Sequence, residues 1–258
     1  DPSKLSIDPK RRDMSYVFTD VAGFTTISEG MDATTLADVM NRYLDGMVKV
    51  VFAHGGTVDK FIGDAVFALF GAPRDMEDHA ARAASCALDL DRFAQAFLAG
   101  EVAAGRPFGI TRIGVHSGPA SVGNFGSDAR FEYTALGDAV NTAARLEGLN
   151  KYFGTRVAMS GATAERCPGL PRRAIGRIVL KGKTEPIAVF QPLDKAEAGS
   201  DFMVKYGRAY AAMAAGEGGA AALFAELAAE RPEDGPAALH RDRLASGGDS
   251  DLVVMSDK

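Results

Sequence analysis

The chain has 258 residues, 47% of them hydrophobic and 24% charged, which supplies one moderate-sized core plus a smaller unit and excludes a disordered chain. A net charge of −5 excludes a broad basic surface for nucleic acid, although a small anion needs only local positive charge. Cys86 and Cys167 form neither a disulfide framework nor a metal-ligand spacing, and with no signal peptide or run of 18 apolar residues a soluble domain in a reducing, cytoplasmic compartment is expected. The chain opens on Asp1 rather than methionine, which reads as a piece of a longer protein with room for a membrane anchor upstream.

Residues 1–12 read as a linker. A strand-like run from Met14 to Thr19 then ends in FTDVAGFT, residues 18–25, where Asp20 is followed by Gly23 and by the helix-starting Phe24, Thr25 and Thr26. Leu36, Val39, Met40, Tyr43, Leu44, Met47, Val48, Val51 and Phe52 recur at helical spacing over 33–53, and Gly55-Gly56 stops that helix. TVDKFIGDAVFALF reads as two short strands turning at Gly63-Asp64. A second long helix is predicted over 76–99, strands near 110–117, 119–125 and 131–136, a helix from Asp138 to Tyr152, and strands near 156–159, 175–180 and 186–192. The order strand, helix, strand, strand, helix, strand is the ferredoxin-like plan, so an α+β domain with an antiparallel sheet is expected over 13–195. From 201 the composition turns to alanine with scattered aromatic anchors, broken at Gly216–Gly219 and at Arg231-Pro232. Residues 201–246 resemble a single tetratricopeptide-like helical hairpin, and 247–258 read as a disordered tail.

Two acids stand out by position. Asp20 ends the first strand and Asp64 sits at the tip of the central hairpin, elements that neighbour each other in a ferredoxin-like sheet, so both carboxylates can face one site. That pairing suits a hard divalent cation such as Mg²⁺, which takes one or two carboxylates plus substrate phosphates and water. Behind Asp20, Gly23 lets the backbone approach closely, and the amides of Phe24 and Thr25 at a helix start favour anions. The stretch therefore reads as a metal-and-phosphate cradle without the Gly-Lys-Ser/Thr of a Walker motif. An isolated acid at a strand end is more often a turn former, so spacing alone leaves that alternative open.

Five motifs, FTDVAGFT, VDKFIGDAVFALFGAP, IGVHSGPASVGNFG, YTALGDAVNTAARL and LKGKTEP, occur in an order and spacing that resemble the class III nucleotidyl cyclase catalytic domain. The resemblance runs from about Asp13 to Leu193 and implies conversion of a nucleoside triphosphate to a 3′,5′-cyclic monophosphate and pyrophosphate by a head-to-tail homodimer with two shared sites. It further implies that Asp20, Asp64 and the Val21 carbonyl hold two Mg²⁺ or Mn²⁺ ions. Lys60 and Thr134 match the family's purine-reading positions, Asn141 the residue that orients the ribose, and Arg145 the one that stabilises charge on the transferred phosphoryl group. Asn141 and Arg145 are spaced i, i+4 and so share a helix face. Lys181 matches a lysine that reaches the terminal phosphates, with Lys183 close enough to serve instead.

The purine readers discriminate between bases by their chemistry. A Lys donor meets the ring nitrogen of adenine, which accepts, and a Thr oxygen accepts from the exocyclic amine; guanine presents the opposite pattern. Lys60 with Thr134 thus resembles the class IIIb adenylyl cyclases and implies ATP as substrate and 3′,5′-cyclic AMP as product. The alternatives are a guanylyl or relaxed-specificity cyclase, and a catalytically silent dimerisation or nucleotide-sensing module. His54, His79, His116 and His240 show no ligand spacing, and no general base stands out. Gly247-Gly248-Asp249-Ser250 is similar to a diguanylate cyclase signature but lacks the following Glu-Phe and lies on no predicted hairpin, so it carries no weight.

Overall fold

The computed structural model of the chain describes residues 9–127, 129–180 and 184–254. Strand β1, Lys10–Val21, alternates between two covered faces: Val17 and Val21 join one apolar cluster, Met14 and Tyr16 another on the opposite side. It runs antiparallel to both neighbours, β3 (Ala65–Phe70) and β4 (Thr111–Ser127), and β2 (Thr57–Ile62) pairs outside β3. The resulting order β2-β3-β1-β4 is the ferredoxin-like one. Beyond β4 the sheet continues through β6 (Val157–Ser160), β8 (Ile187–Pro192), β7 (Arg172–Val179) and β9 (Leu252–Val254). Among the described residues, strand β5 (Arg130–Leu136) pairs with the far half of β4 alone.

Helix α2 (Ala33–Ala53) starts where the Asp32 carboxylate accepts the Thr34 and Thr35 amides, and buries Val39, Tyr43, Met47 and Val51. It packs with α3 (His79–Ala103) on one face of the sheet, against Val17, Val66, Ala68 and Val115. On the other face lies α4 (Asp138–Phe153). The contact depends on Gly114, where a Cβ would fall 2.2 Å from the Glu147 amide nitrogen and 2.3 Å from the Ala143 carbonyl oxygen. Only a glycine lets the helix rest on the β4 backbone, and that seat fixes the height of Glu147 above the sheet.

Four sequence expectations change. Residues 10–12 are strand rather than linker: Lys10, Arg11 and Arg12 pair with Val122, Ser121 and Ala120, because β4 is long enough to offer them an edge. The two strands expected at 110–117 and 119–125 are one, with Pro119 falling in the gap where the outer edge of β4 passes from β6 (113–115) to β5 (121–127), a place that tolerates a residue without an N–H. The expected C-terminal hairpin is three helices, α7 (Asp201–Ala214), α8 (Ala220–Glu230) and α9 (Gly235–Ala245), sharing a small core of Phe202, Tyr206, Met213, Phe224, Leu227 and Ala237.

The stretch 247–254 of the expected disordered tail is likewise ordered and ends in strand β9, while 255–258 lie outside the described residues. Strand β9 pairs parallel with β7, Val253 is buried, and the buried Asp251 carboxylate takes the Arg177 guanidinium at 2.8 Å and the Tyr210 hydroxyl at 3.0 Å. Those partners lie far away in sequence, which is why the polar composition of the tail conceals the strand. Shorter helices α1 (Phe24–Glu29), α5 (Gly161–Arg166) and α6 (Lys195–Ala198) complete the described residues.

One ion cluster ties the middle of α2 to the C-terminal end of α3. The buried Glu101 accepts from Arg106 and from Arg42 at 2.7 Å, and these guanidiniums hold its carboxyl down to about 2, against an ordinary value near 4.5. A carboxyl depressed in the folded state stabilises the fold above its unfolded pKa and ceases to do so as pH falls through the folded value. Glu101→Gln is therefore expected to lower stability at neutral pH and to flatten the loss of stability between about pH 4.5 and 2, measured by denaturant unfolding across that range. An acid limb as steep as the parent's would remove Glu101 from that role.

Candidate active site

The first cluster forms where β1 ends. Asp20 follows Tyr16 and Phe18 on the α4 side of the sheet, opposite its register partner Arg112 on β4. The hairpin between β2 and β3 turns at Gly63, whose φ of 64° is left-handed, and brings Asp64 back so that its Oδ2 accepts the Val21 amide at 2.8 Å. The structure thus brings Asp20, Val21 and Asp64 together. Asp20 Oδ2 accepts from Arg112 at 3.0 Å, and the Arg112 Nε lies 3.3 Å from Glu147 on α4.

The charges in this cluster do not balance. Burial pushes the Asp64 carboxyl up, and the charge of Asp20 adds to the rise. Burial likewise pushes Glu147 up to about 7, with Asp20 adding and Arg112 opposing. Three carboxylates against one guanidinium leave a deficit of positive charge that a divalent cation would fill. Among the described residues no group of three acidic, histidine or cysteine side chains is arranged to hold a metal. The Asp20 and Asp64 pair therefore suits an ion that draws its remaining ligands from backbone, substrate and water, as Mg²⁺ does.

Gly23 takes a left-handed φ of 72° at the start of α1, and a Cβ built there would touch nothing within 4 Å. No side chain caps α1, so the first-turn amides around Phe24 and Thr25 are left for another acceptor.

A second cluster joins β2 to β5 although neither strand pairs with the other. The β4–β5 arm folds back so that Lys60 Nζ donates to Glu132 Oε2 at 2.6 Å and lies 3.5 Å from Asp59 Oδ1, while the Thr134 hydroxyl donates to Asp59 Oδ2 at 2.5 Å. Lys60 and Thr134 thus meet around one carboxylate. The Glu132 hydrogen bond and the Asp59 charge hold Lys60 above its ordinary value, opposing a modest burial penalty. Phe61, Ile62, Phe131 and Leu136 on the same two strands are large, apolar and exposed.

Asn141 and Arg145 are both exposed on α4, on a face that neither cluster occupies. Lys181 and Lys183 lie outside the described residues. His116 hydrogen-bonds Ser160 at 2.7 Å, and His79 and His240 are buried against Ser15 and the Ile175 carbonyl, as expected of structural residues.

The amino-acid sequence matches the family described as "Adenylate and Guanylate cyclase catalytic domain" over residues 8–191, well over half of the chain. The chain belongs to that family, the class III nucleotidyl cyclases. The cyclase domain is 40% identical over 182 residues to Adenylate cyclase 1 of Rhizobium meliloti, covering 70% of this chain and 27% of that protein. It is 35% identical over 185 residues to an adenylate cyclase of Anabaena cylindrica, covering 70% and 36%. It thus spans about a third of the length of these curated relatives. Among solved structures it is similar to the adenylyl cyclase CyaB from P. aeruginosa, with a TM-score of 0.67, 32% identity and coverage of 73% of this chain and 97% of that one. The guanylyl cyclase Cya2 gives 0.64, 31%, 71% and 93%. Both likenesses establish the α+β cyclase fold described above.

Sequence reasoning overlooked Arg112, Glu147 and Asp59 in this cyclase domain. Arg112 is a charge inside the otherwise largely apolar strand TRIGV, and Asp59 an acid between Val58 and Lys60 in TVDKFI; a charge on a strand with apolar neighbours was the available signal. Glu147 had none, because one acid on an amphipathic helix reads as solvated.

Proposed function

We propose that this domain is an adenylate cyclase that converts ATP to 3′,5′-cyclic AMP and pyrophosphate at two sites shared across a homodimer. The observation that carries the reading is the meeting of Lys60 and Thr134 around Asp59. A donor and an acceptor side by side match the ring nitrogen and exocyclic amine of adenine. Guanine in that position would set a ring N–H against the ammonium and a carbonyl against an oxygen.

Asp20, Asp64 and the Val21 carbonyl would hold two Mg²⁺ or Mn²⁺ ions, which supply charge for the triphosphate and lower the pKa of the ribose 3′-hydroxyl. The amides of Phe24 and Thr25, reached past the side-chain-free Gly23, bind phosphate oxygens. Asn141 orients the ribose, and Arg145 one turn further on the same helix face stabilises charge at the α-phosphorus as the 3′-oxygen displaces pyrophosphate. Lys181 binds the departing phosphates, and the 3′-hydroxyl proton passes to solvent.

The homodimer is supported by the exposed apolar side chains on β2 and β5, which flank the purine-reading cluster, and by a single chain that carries both halves of the site. The direct test incubates the purified chain with ATP or with GTP, in Mg²⁺ or Mn²⁺, and identifies the product. Cyclic AMP is expected, with at least about a tenfold preference for ATP in kcat/KM. Predominant cyclic GMP would establish the guanylyl alternative, and no cyclic product from either nucleotide the silent module.

A further inference from the structure

We propose that Asp59 sets which purine the domain accepts, by taking the Thr134 hydroxyl proton and so presenting Thr134 to the base as an acceptor. The inference rests on the reading that Lys60 and Thr134 face the purine. A threonine hydroxyl has one proton and two lone pairs, and by itself it would rotate to donate to a carbonyl or accept from an amine. Thr134 has lost that freedom. Its hydroxyl donates to Asp59 Oδ2 at 2.5 Å, and an ionised carboxylate accepts only, so the proton is committed. What remains facing the base is a lone pair, which suits a 6-amino group and opposes a 6-oxo group.

The local backbone is shaped for this contact. The register of β2 against β3 slips between Val58 and Lys60, so Asp59 is the extra residue of a bulge, a device that re-aims a side chain. From the bulge its side chain, 1% exposed, reaches a strand that β2 does not pair with. The carboxylate is not saturated by hydrogen bonds: Asp59 Oδ2 takes the Thr134 hydroxyl, while the buried Asp59 Oδ1 has no hydrogen bond. That oxygen is met by an ion pair rather than a hydrogen bond, and the carboxylate thereby fixes the sense of two readers at once. The ammonium of Lys60, 3.5 Å from that oxygen, is held beside the Thr134 acceptor as the donor for the ring nitrogen.

The test compares kcat/KM for ATP, inosine triphosphate and purine riboside triphosphate, which carry at the 6-position an amine, a carbonyl and hydrogen. The parent chain is expected to prefer ATP over both analogues by about tenfold to a hundredfold, the worth of a buried polar group paired or left unpaired. Asp59→Ala frees the Thr134 hydroxyl to donate or accept, and the ATP to inosine triphosphate ratio is expected to fall by about tenfold or more. In a Thr134→Val background, Asp59→Ala should change the ratio no further.

If Asp59→Ala does not fold, Asp59→Leu, which fills the volume but accepts no proton, is read on the same ratio. A folded variant that loses turnover yet keeps the parent ratio would show that Asp59 only joins β2 to β5, overturning the inference. Equal use of ATP and purine riboside triphosphate by the parent chain would overturn it without any variant. Absence of cyclic AMP from ATP in the parent chain is a different failure, that of the adenylate cyclase reading itself.

Discussion

Asp20→Asn and Asp64→Asn are each expected to lower cyclic AMP formation by at least about a hundredfold while leaving the chain folded. Losing a residue that merely supports a metal ligand costs ten- to a hundredfold, and a neutral amide in the ligand shell itself should cost more. The fold should survive because each lesion is nearly isosteric. An Asn at position 64 still offers an oxygen to the Val21 amide, and Asp20 is part-exposed with its main contact an ion pair to Arg112. Such a pair contributes about 1 kcal/mol or less. The measurements are turnover at saturating ATP over a Mn²⁺ series, and thermal unfolding without nucleotide. Near-parental turnover by either folded variant would remove that aspartate from the metal site.

A second large effect is recovery rather than loss. Asp20→Ala and Arg145→Ala are each expected to be nearly inactive, yet a mixture of the two should regain about a quarter of parental activity. In the proposed two-fold dimer each site would take Asp20 from one chain and Arg145 from the other. A mixed dimer therefore places both lesions in one site and leaves its second site whole. Random exchange of equal amounts makes about half of all dimers mixed, and half of their sites work. Within one chain, Arg145 stands on an exposed face of α4 that the Asp20 cluster does not occupy, as a residue serving a partner's substrate would. Exchange is verified with differently tagged subunits. If tagged chains co-purify and the mixture stays as inactive as its parents, the two residues do not complete one another's sites.

Much of this architecture is written locally. The apolar positions of α2 recur every three or four residues, Gly63-Asp64 marks a turn, and β1 alternates between two buried faces, so the strand and helix order and the ferredoxin-like plan follow from periodicity. The nearness of Asp20 to Asp64 also follows, because neighbouring strands in that plan place both at one end of the sheet. The long-range partners do not. Arg112 lies 92 residues from Asp20, Thr134 75 from Asp59 and Arg177 74 from Asp251. In a sequence these read as solvated charges and a strand-forming threonine.

The sequence by itself determined the family, the ferredoxin-like order of the central strands and helices, and the motifs that carry the cyclase resemblance. Tertiary structure alone decided that Arg112 rests on Asp20, that the tail returns as a strand beside β7, and that a bulge turns Asp59 onto Thr134. The reason is physical. Periodicity specifies which face of an element is apolar, and so where it packs, but a buried charge is tolerated only through partners supplied by other elements. Those partners are chosen by how a long strand twists and folds back, which no local pattern records.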